Sequence, residues 1–478
     1  MGVVTVITDS RSPPTHKKRR TGENCHRPVT DISCAAQKIE SWLGSDCRPF
    51  HPPSRSCEGG GQHPTLWKPQ AAIFPGDDGL RPIQTRVLRL NEAAKELVRY
   101  PTAISLHSHT LHSRESLEHL PAQAERIPVL GGIIRRELRD YAEGNGKPFD
   151  FRRTWWTPPM SAAQVYESEK KQIEDLGMVP FVSVTDHDSI AAGLELRHRA
   201  GRMDAQVSVE WTVPIAGDHL HVGVHNLPVN RAAETMLELL RYTADPARAD
   251  LREMLAMLAE RPETLIVLNH PCWDVGRVGA AEHDAAVRAF LALGGEWVHA
   301  LEVNGLRSCS ENRAALRMAA ELGMPTVGGG DRHGCRPNTV LNMTRAQSFA
   351  EFVAEVRCEG RSDILLLPSY EEPLALRQME TVADAVRYYP HHPHGRRRFT
   401  SRTFVDLEGY SAHPLSFYWD GGAPWWLNLP LALIVAMGSD RSRSLLRHTF
   451  FRSGERDLMV PPRVATVAPQ VGEPSLQA

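Results

Sequence analysis

No apolar run in the 478-residue sequence approaches the 18 or so residues that a membrane span needs; the longest, Trp425 to Met437, is too short and contains Asn428 and Pro430. There is no basic N-terminal segment followed by a long apolar stretch, and Met1-Gly2 leads into Thr5-Val6 where acylation requires Ser or Thr at the sixth position, so secretion and lipid anchoring are not expected. Eight cysteines in a chain of this length are too few for a disulfide scaffold, which points to a reducing, cytoplasmic setting. Excess charge is also missing. Lys+Arg total 55 against 57 Asp+Glu, a formal net charge of −2, so no global positive field draws the chain to nucleic acid or anionic lipid; no membrane partner is expected, and any nucleic-acid contact is local. The nucleophile elbow Gly-x-Ser-x-Gly is absent, which removes the Ser-His-Asp hydrolases, and Gly328 to Gly330 is not followed by the Lys-Ser/Thr of a phosphate-binding loop. What is present is ordinary globular composition, 41% hydrophobic and 23% charged, in a length that suits about three units or one large barrel with appendages.

Residues 1–85 are rich in Pro, Gly, Ser and Arg, with the basic run Lys17 to Arg20 and the triplet Gly59 to Gly61, and read as a disordered extension. Cys25, Cys34, Cys47 and Cys57 lie there with His26 and His51, but without any Cys-x-x-Cys they do not read as a zinc knot. From Ala103 onward short β-branched runs alternate with helical patterns. The strand-like pieces are Ala103–Leu106, Pro180–Thr185, Val207–Thr212, Leu220–Val224, Leu265–Leu268, Ala300–Val303, Thr326–Val327 and Ile364–Leu367. Ser161 is placed to cap a helix ending at Gly177, and Ser310 one ending at Gly323. This rhythm, with strands such as Leu265-Ile266-Val267-Leu268 that lack polar alternation, predicts an α/β fold with both sheet faces covered: a parallel barrel over residues 86–368, or a doubly wound open sheet. An insertion at 116–160 carries Tyr141, Phe149, Phe151, Trp155 and Trp156 and reads equally as a lid or as a packing arm. Residues 369–478 form an appendage, partly helical or irregular, in which His391 to Arg398 is expected to be a solvated loop.

The residues that separate barrel from open sheet are polar. His107 and His109, two apart after the first strand, point the same way and can grip one ion or a pair. Thr185-Asp186-His187-Asp188 follows the next strand, Glu210 ends another, His219 and His221 repeat the two-residue spacing, Asn269-His270-Pro271 closes the Leu265 strand, and Gly330-Asp331-Arg332-His333 closes the Thr326 strand. Any one of these alone is weak evidence. Together, on strand ends that converge on one face of a (β/α) barrel, imidazoles and carboxylates without cysteine describe a multinuclear hydrolytic site for zinc, manganese or iron.

In this order the motifs resemble the polymerase and histidinol phosphatase (PHP) family of metal-dependent phosphoesterases, over roughly residues 100–365. The resemblance implies a distorted barrel of about seven strands and two or three divalent ions. His107, His109, His187, Glu210, His270, Asp331 and His333 match the family's ligand positions. Where the family often has Ser-Asp-Gly, this chain has Ser113-Arg114-Glu115, and Glu115 stands in as the ligand; the fourth-strand ligand is His219 or His221. The contexts Glu210-Trp211-Thr212 and Leu301-Glu302-Val303-Asn304 also resemble the branch acting on carbamate esters, so the substrate is expected to be a phosphate mono- or diester of a small molecule, nucleotide or oligonucleotide, with a carbamate or carboxyl ester as alternative and a non-catalytic binding module as another.

Two ions about 3.5–4 Å apart can share a water, lower its pKa from about 15.7 toward 7 and neutralise the charge of an in-line displacement. On this reading His187, Asp331 and His333 are the catalytic groups, Asp186 and Asp188 orient His187, and Arg114, Arg307 and Arg332 neutralise the substrate. Cys272 and Cys335, beside ligand motifs, are expected to be small packing residues.

Overall fold

The computed structural model describes residues 84–446 apart from 125–127, 200, 408–410, 420–421 and 444–445. The extension expected at 1–85, with its cysteines and basic run, lies outside the described residues except for Gln84 and Thr85, which begin a strand.

Two five-stranded sheets carry the molecule. The first runs in the order β1 (Gln84–Arg89), β12 (Arg361–Leu366), β11 (Val340–Thr344), β2 (Thr102–Leu106), β5 (Val179–Ser183). The second runs β10 (Thr326–Gly329), β9 (Ala300–Asn304), β8 (Leu265–Leu268), β7 (Asp218–His225), β6 (Val209–Ile215). Half of the pairs are parallel; β11 runs against both neighbours and β7 against β6 and β8, so neither sheet is the all-parallel one expected from sequence. The reversal at β7 comes from a two-residue hairpin: Ala216 and Gly217 have φ of 50° and 81°, the left-handed pair that such a tight connection requires, and they join Ile215 to its partner Asp218.

The apolar strands expected from sequence are buried throughout in β2 and β8 because helices cover their outer faces. The helix Phe349–Glu359, capped by Ser348, buries Phe349, Phe352, Val353 and Val356, the i, i+3, i+4, i+7 positions of one face, against Ile104, Leu106, Leu265, Val267 and Val327. Each fully buried large side chain there contributes about 1.5–3 kcal/mol. Ser161 forms a reciprocal capping box with Gln164 on the helix Ala162–Asp175. The other expected cap shifts: Ser308, not Ser310, caps Cys309–Leu322, because the Glu that completes a box must lie three residues on, and that is Glu311.

Neither sheet closes on itself. At the strand ends, however, backbone bonds cross both seams: Gly330, Asp331 and His109 donate to Leu106, His107 and Arg332 at 3.0, 2.7 and 2.8 Å, and Asp188 and Glu210 donate to Glu210 and Asp186 at 2.9 and 3.2 Å. A third, antiparallel sheet of short strands, β14 (His413–Pro414), β13 (Thr403–Val405), β4 (Thr154–Trp156), β3 (Glu115–Ser116), joins the 116–160 insertion to the C-terminal region. There Trp155 stacks on Phe404, ring centres 5.8 Å apart. The 391–398 loop is mostly exposed, but it folds over the buried Arg402, whose guanidinium donates to the carbonyls of Ala385, Arg387, Arg396 and Arg397. Among the described residues no helix is long and apolar enough to cross a membrane.

Candidate metal centre

The strand-end segments expected to converge do so. His107 and His109 follow β2, His187 follows β5, His270 follows β8, and Asp331 and His333 follow β10. Two residues arrive differently from the sequence expectation of C-terminal strand ends. Glu210 is the second residue of β6, and His221 sits inside β7, paired with Thr212. Periodicity does not carry strand direction, and the antiparallel hairpin is what places His221 beside Glu210, Nδ1 to Oε1 at 3.2 Å. Glu115 comes from β3 of the small sheet, its Oε2 2.9 Å from His333 Nε2 and 3.5 Å from His187 Nε2.

Four overlapping sets of donors result: His109, Glu115, His187 and His333; His107, His109 and Asp331; His107, Glu210 and His270; His187, Glu210 and His221. Within each, the donor atoms lie within 4.8 Å of one another. Glu210 is the hub. Its Oε2 is 3.1 Å from His107 Nε2 and 3.3 Å from both His109 Nε2 and His187 Nδ1, and its Oε1 is 3.2 Å from His270 Nε2. Of the ten residues expected to ligate, nine share these sets, and His219 does not; its ring centre is 5.8 Å from that of His221 and its backbone N–H donates to Asp218.

Three features mark the cluster as built for a charge. Buried polar atoms are normally paired, yet His107 Nε2, His109 Nε2, Glu115 Oε1, Glu210 Oε2 and His221 Nδ1 lack a hydrogen-bond partner among the described residues. Each such atom costs about 1–3 kcal/mol. The backbone is strained at the same place: His107, Asp188, His270 and Asp331 have φ of 63°, 50°, 28° and 53°. The electrostatics are coupled. Burial opposes charge on His107 and His109, but Glu210 and Glu302 raise the first, and Asp331 and Glu210 push the second up to about 10. Burial likewise works against the carboxylates, yet His333 and His187 hold Glu115 below its ordinary range, His107 and His187 do so for Glu210, and Arg307 and His109 for Asp331. Burial drives His187 down to about 3 and lowers His270.

Glu302 belongs to this centre although sequence reasoning gave it no site role. Its Oε1 accepts from His107 Nδ1 at 2.6 Å and its Oε2 from the His270 N–H at 2.9 Å and Asn304 Nδ2 at 2.8 Å. It thereby turns His107 Nε2 toward Glu210 and Asp331. Gly329 makes this fit, since a Cβ there would overlap the Glu302 carboxylate. Asn269 Nδ2 donates to Glu210 Oε1 at 3.0 Å, and a Cβ at Gly223 would come within 2.8 Å of the Asn269 amide oxygen.

The remaining expected residues separate. Arg307 is buried, donates to Asp331 Oδ2 at 2.6 Å, lies over the Trp273 ring at 3.3 Å and leaves its Nε unpartnered. Arg332 turns away to Glu169 at 2.9 Å, and Arg114 is exposed over Trp155. Asp186 accepts from Thr110 N and Oγ1, and Asp188 from Thr212 N, so neither carboxylate is bonded to the His187 ring. Burial pushes the Cys272 and Cys335 thiols up to about 11, which suits packing.

The donor set fits divalent ions. It is oxygen and imidazole without sulfur, the chemistry of zinc, manganese and iron sites. The overlapping clusters of imidazole and carboxylate donors suggest divalent-metal binding.

No family model matches the chain, and no curated protein matches it. Solved structures do. The chain is similar to a candidate metal-dependent phosphoesterase from Bifidobacterium adolescentis (15% identity, 43% of this chain and 92% of that one, TM-score 0.29). It is also similar to an amidohydrolase from Chromobacterium violaceum (14%, 49% and 93%, TM-score 0.28). A third match is a two-domain protein from Bacteroides vulgatus containing a predicted PHP-like metal-dependent phosphoesterase (13%, 60% and 68%, TM-score 0.29).

Proposed function

We propose that the chain is a metal-dependent hydrolase of phosphate mono- or diesters. The observation that carries this reading is the set of buried, unpartnered donor atoms on His107, His109, Glu115, Glu210 and His221, distributed over overlapping clusters that share His107, His109, His187 and Glu210. On this reading β2, β5, β6, β7, β8, β9 and β10 act as a distorted seven-stranded barrel, joined at its seams by the strand-end bonds, with the unit of 86–368 completed by the small sheet that brings in Glu115.

His107, His109, Glu115, His187, Glu210, His221, His270, Asp331 and His333 would hold two or three ions. When bound, such ions lower the pKa of a water toward neutrality and stabilise developing negative charge. The chain's own groups do the rest. Glu302 and Asn269 hold His107 and Glu210 in place, the role that outer carboxylates and amides play around metal ligands. Arg307 has an unpartnered Nε beside Asp331, and its guanidinium is the group that favours a phosphate over a neutral ester. His187 and His333 keep 15% and 13% of their side chains exposed and so lie on the side of the cluster that a substrate can reach.

Metal analysis of the purified protein should find at least two transition-metal ions per chain. Alanine at His107 or Asp331 should abolish hydrolysis of a generic phosphodiester or phosphomonoester while the chain stays folded. A substrate panel of nucleotides, oligonucleotides, sugar phosphates and aryl carbamates, run with manganese, zinc and iron, tests the ester class. Arg307→Lys should weaken phosphate-ester turnover more than carbamate turnover; the opposite order transfers the reading to carbamates, and two bound ions without any turnover would leave a binding module.

A further inference from the structure

The helix Trp425–Met437 contains no charged residue, yet none of it is buried. Its exposed positions are Trp425, Asn428, Leu429, Ala432, Leu433 and Ala436, the i, i+3, i+4, i+7, i+8, i+11 spacing of one continuous face. Trp425 is 85% exposed, Leu429 78% and Leu433 58%. The opposite side packs on the helix Leu374–Val386, tightly enough that a Cβ at Gly438 would collide with Ala383. The preceding short helix, Leu415–Tyr418, exposes Phe417 at 62%. Contiguous apolar surface of this kind marks a place where something docks.

The surroundings are basic. Arg398 reaches the start of the helix, with Nη1 3.6 Å from where a Cβ on Gly422 would lie, and Arg397, Arg398 and Arg441 are exposed. Asp440, also exposed, is taken up by Arg336. At about 1.5 Å per residue, 13 residues span about 20 Å, short of the roughly 30 Å hydrocarbon core, so the helix cannot cross a bilayer but can lie in its surface. Tryptophan at one end of an apolar face beside arginines is the composition that suits the headgroup boundary.

We propose that this face docks the protein on an anionic lipid surface, with Trp425, Leu429 and Leu433 entering the acyl boundary and Arg397, Arg398 and Arg441 meeting the headgroups. The small net charge had argued against a membrane partner; a local arginine at the start of an exposed apolar face is a feature that the overall charge does not register. The proposal is independent of the chemistry at the metal centre.

The test uses the full chain and sedimentation with vesicles of phosphatidylcholine alone or mixed with phosphatidylserine. The protein should bind the mixed vesicles, less so as salt rises. Leu429→Glu and, separately, Trp425→Ala should each reduce partition about ten- to hundredfold. Arg397→Glu combined with Arg398→Glu should reduce it at least about tenfold. Circular dichroism identifies any variant that fails to fold, and the other substitutions then decide. Failure to bind either vesicle, equal binding to both, or binding that survives Leu429→Glu overturns the proposal. So does light scattering that shows a dimer split by Leu429→Glu in a protein that ignores vesicles, since the occupant is then a second copy.

Discussion

Among the described residues, ring nitrogens of His107 and His109 and an oxygen of Glu210 at the strand ends are buried with no hydrogen-bond partner, while Trp425, Leu429 and Leu433 in the C-terminal region are exposed. The two regions break the burial rule in opposite senses. A buried unpaired polar atom and an exposed apolar face both cost free energy, and the natural relief of each is a ligand of complementary chemistry: cations for the first, an apolar but anionic surface for the second. They also differ in how they are held. The donors sit on strained backbone fixed by strand pairing and by Glu302, whereas the helix packs against the helix Leu374–Val386. One is a preorganised centre and the other an adaptable face.

The largest effect that separates them is at Glu210. Because its two oxygens face His107, His109, His187, His221 and His270, Glu210→Ala removes the group common to two donor sets. Loss of several kcal/mol of transition-state stabilisation should lower kcat/KM at least about a thousandfold, with fewer ions per chain by elemental analysis. Leu429→Glu should leave kcat/KM unchanged. A protein in which Leu429→Glu halts turnover and Glu210→Ala does not would dissolve the distinction drawn between the regions.

Next in size is Glu302→Gln, which keeps an acceptor for the His270 N–H but weakens the hold on His107 Nδ1. A change one bond removed from the ions should cost about ten- to a hundredfold in metal affinity or activity. Titration of metal into chelator-treated protein reads it. No change would mean that His107 is oriented by β2 and the seam bonds alone.

Much of the centre was legible in the sequence because its donors cluster in short motifs directly after apolar runs: His107-Ser108-His109 after β2, Asn269-His270-Pro271 after β8. Glu302 was harder to see because it interrupts β9 between Leu301 and Val303 and touches nothing nearby in sequence except Asn304. A lone acid inside an otherwise apolar strand was the available signal. His221 could not be told from His219 without strand pairing, since the hairpin register puts His221 opposite Thr212 and leaves His219 opposite Pro214, nearer the turn. The first sheet's outer strands and the sheet that delivers Glu115 depend on partners far apart in the chain, Gln84 with Arg361 and Trp155 with Phe404, and no local period encodes such pairings. The Trp425–Met437 helix was visible as an apolar run; its exposure was not, because a uniformly apolar helix looks the same from sequence whether covered or bare.

The smallest effect concerns Asp188, at the edge of the centre on a backbone with φ of 50°. Burial pushes its carboxyl up from 3.8 to about 6, against the bond it accepts from Thr212 N. A carboxyl whose pKa is higher folded than unfolded contributes stability that is full below about 4 and lost as pH rises through about 6. Asn keeps the acceptor for Thr212, tolerates the left-handed backbone and cannot ionise. In chelator-treated protein, Asp188→Asn should therefore match the wild type near pH 4 and exceed it by about 1–2 kcal/mol near pH 8 in denaturant titrations. Adding ions back places positive charge close to Asp188, favours its ionised form and should narrow that gap. A gap that stays the same with ions restored would place Asp188 outside the field of the centre, and its strained backbone would then belong to the β5–β6 seam rather than to the metals.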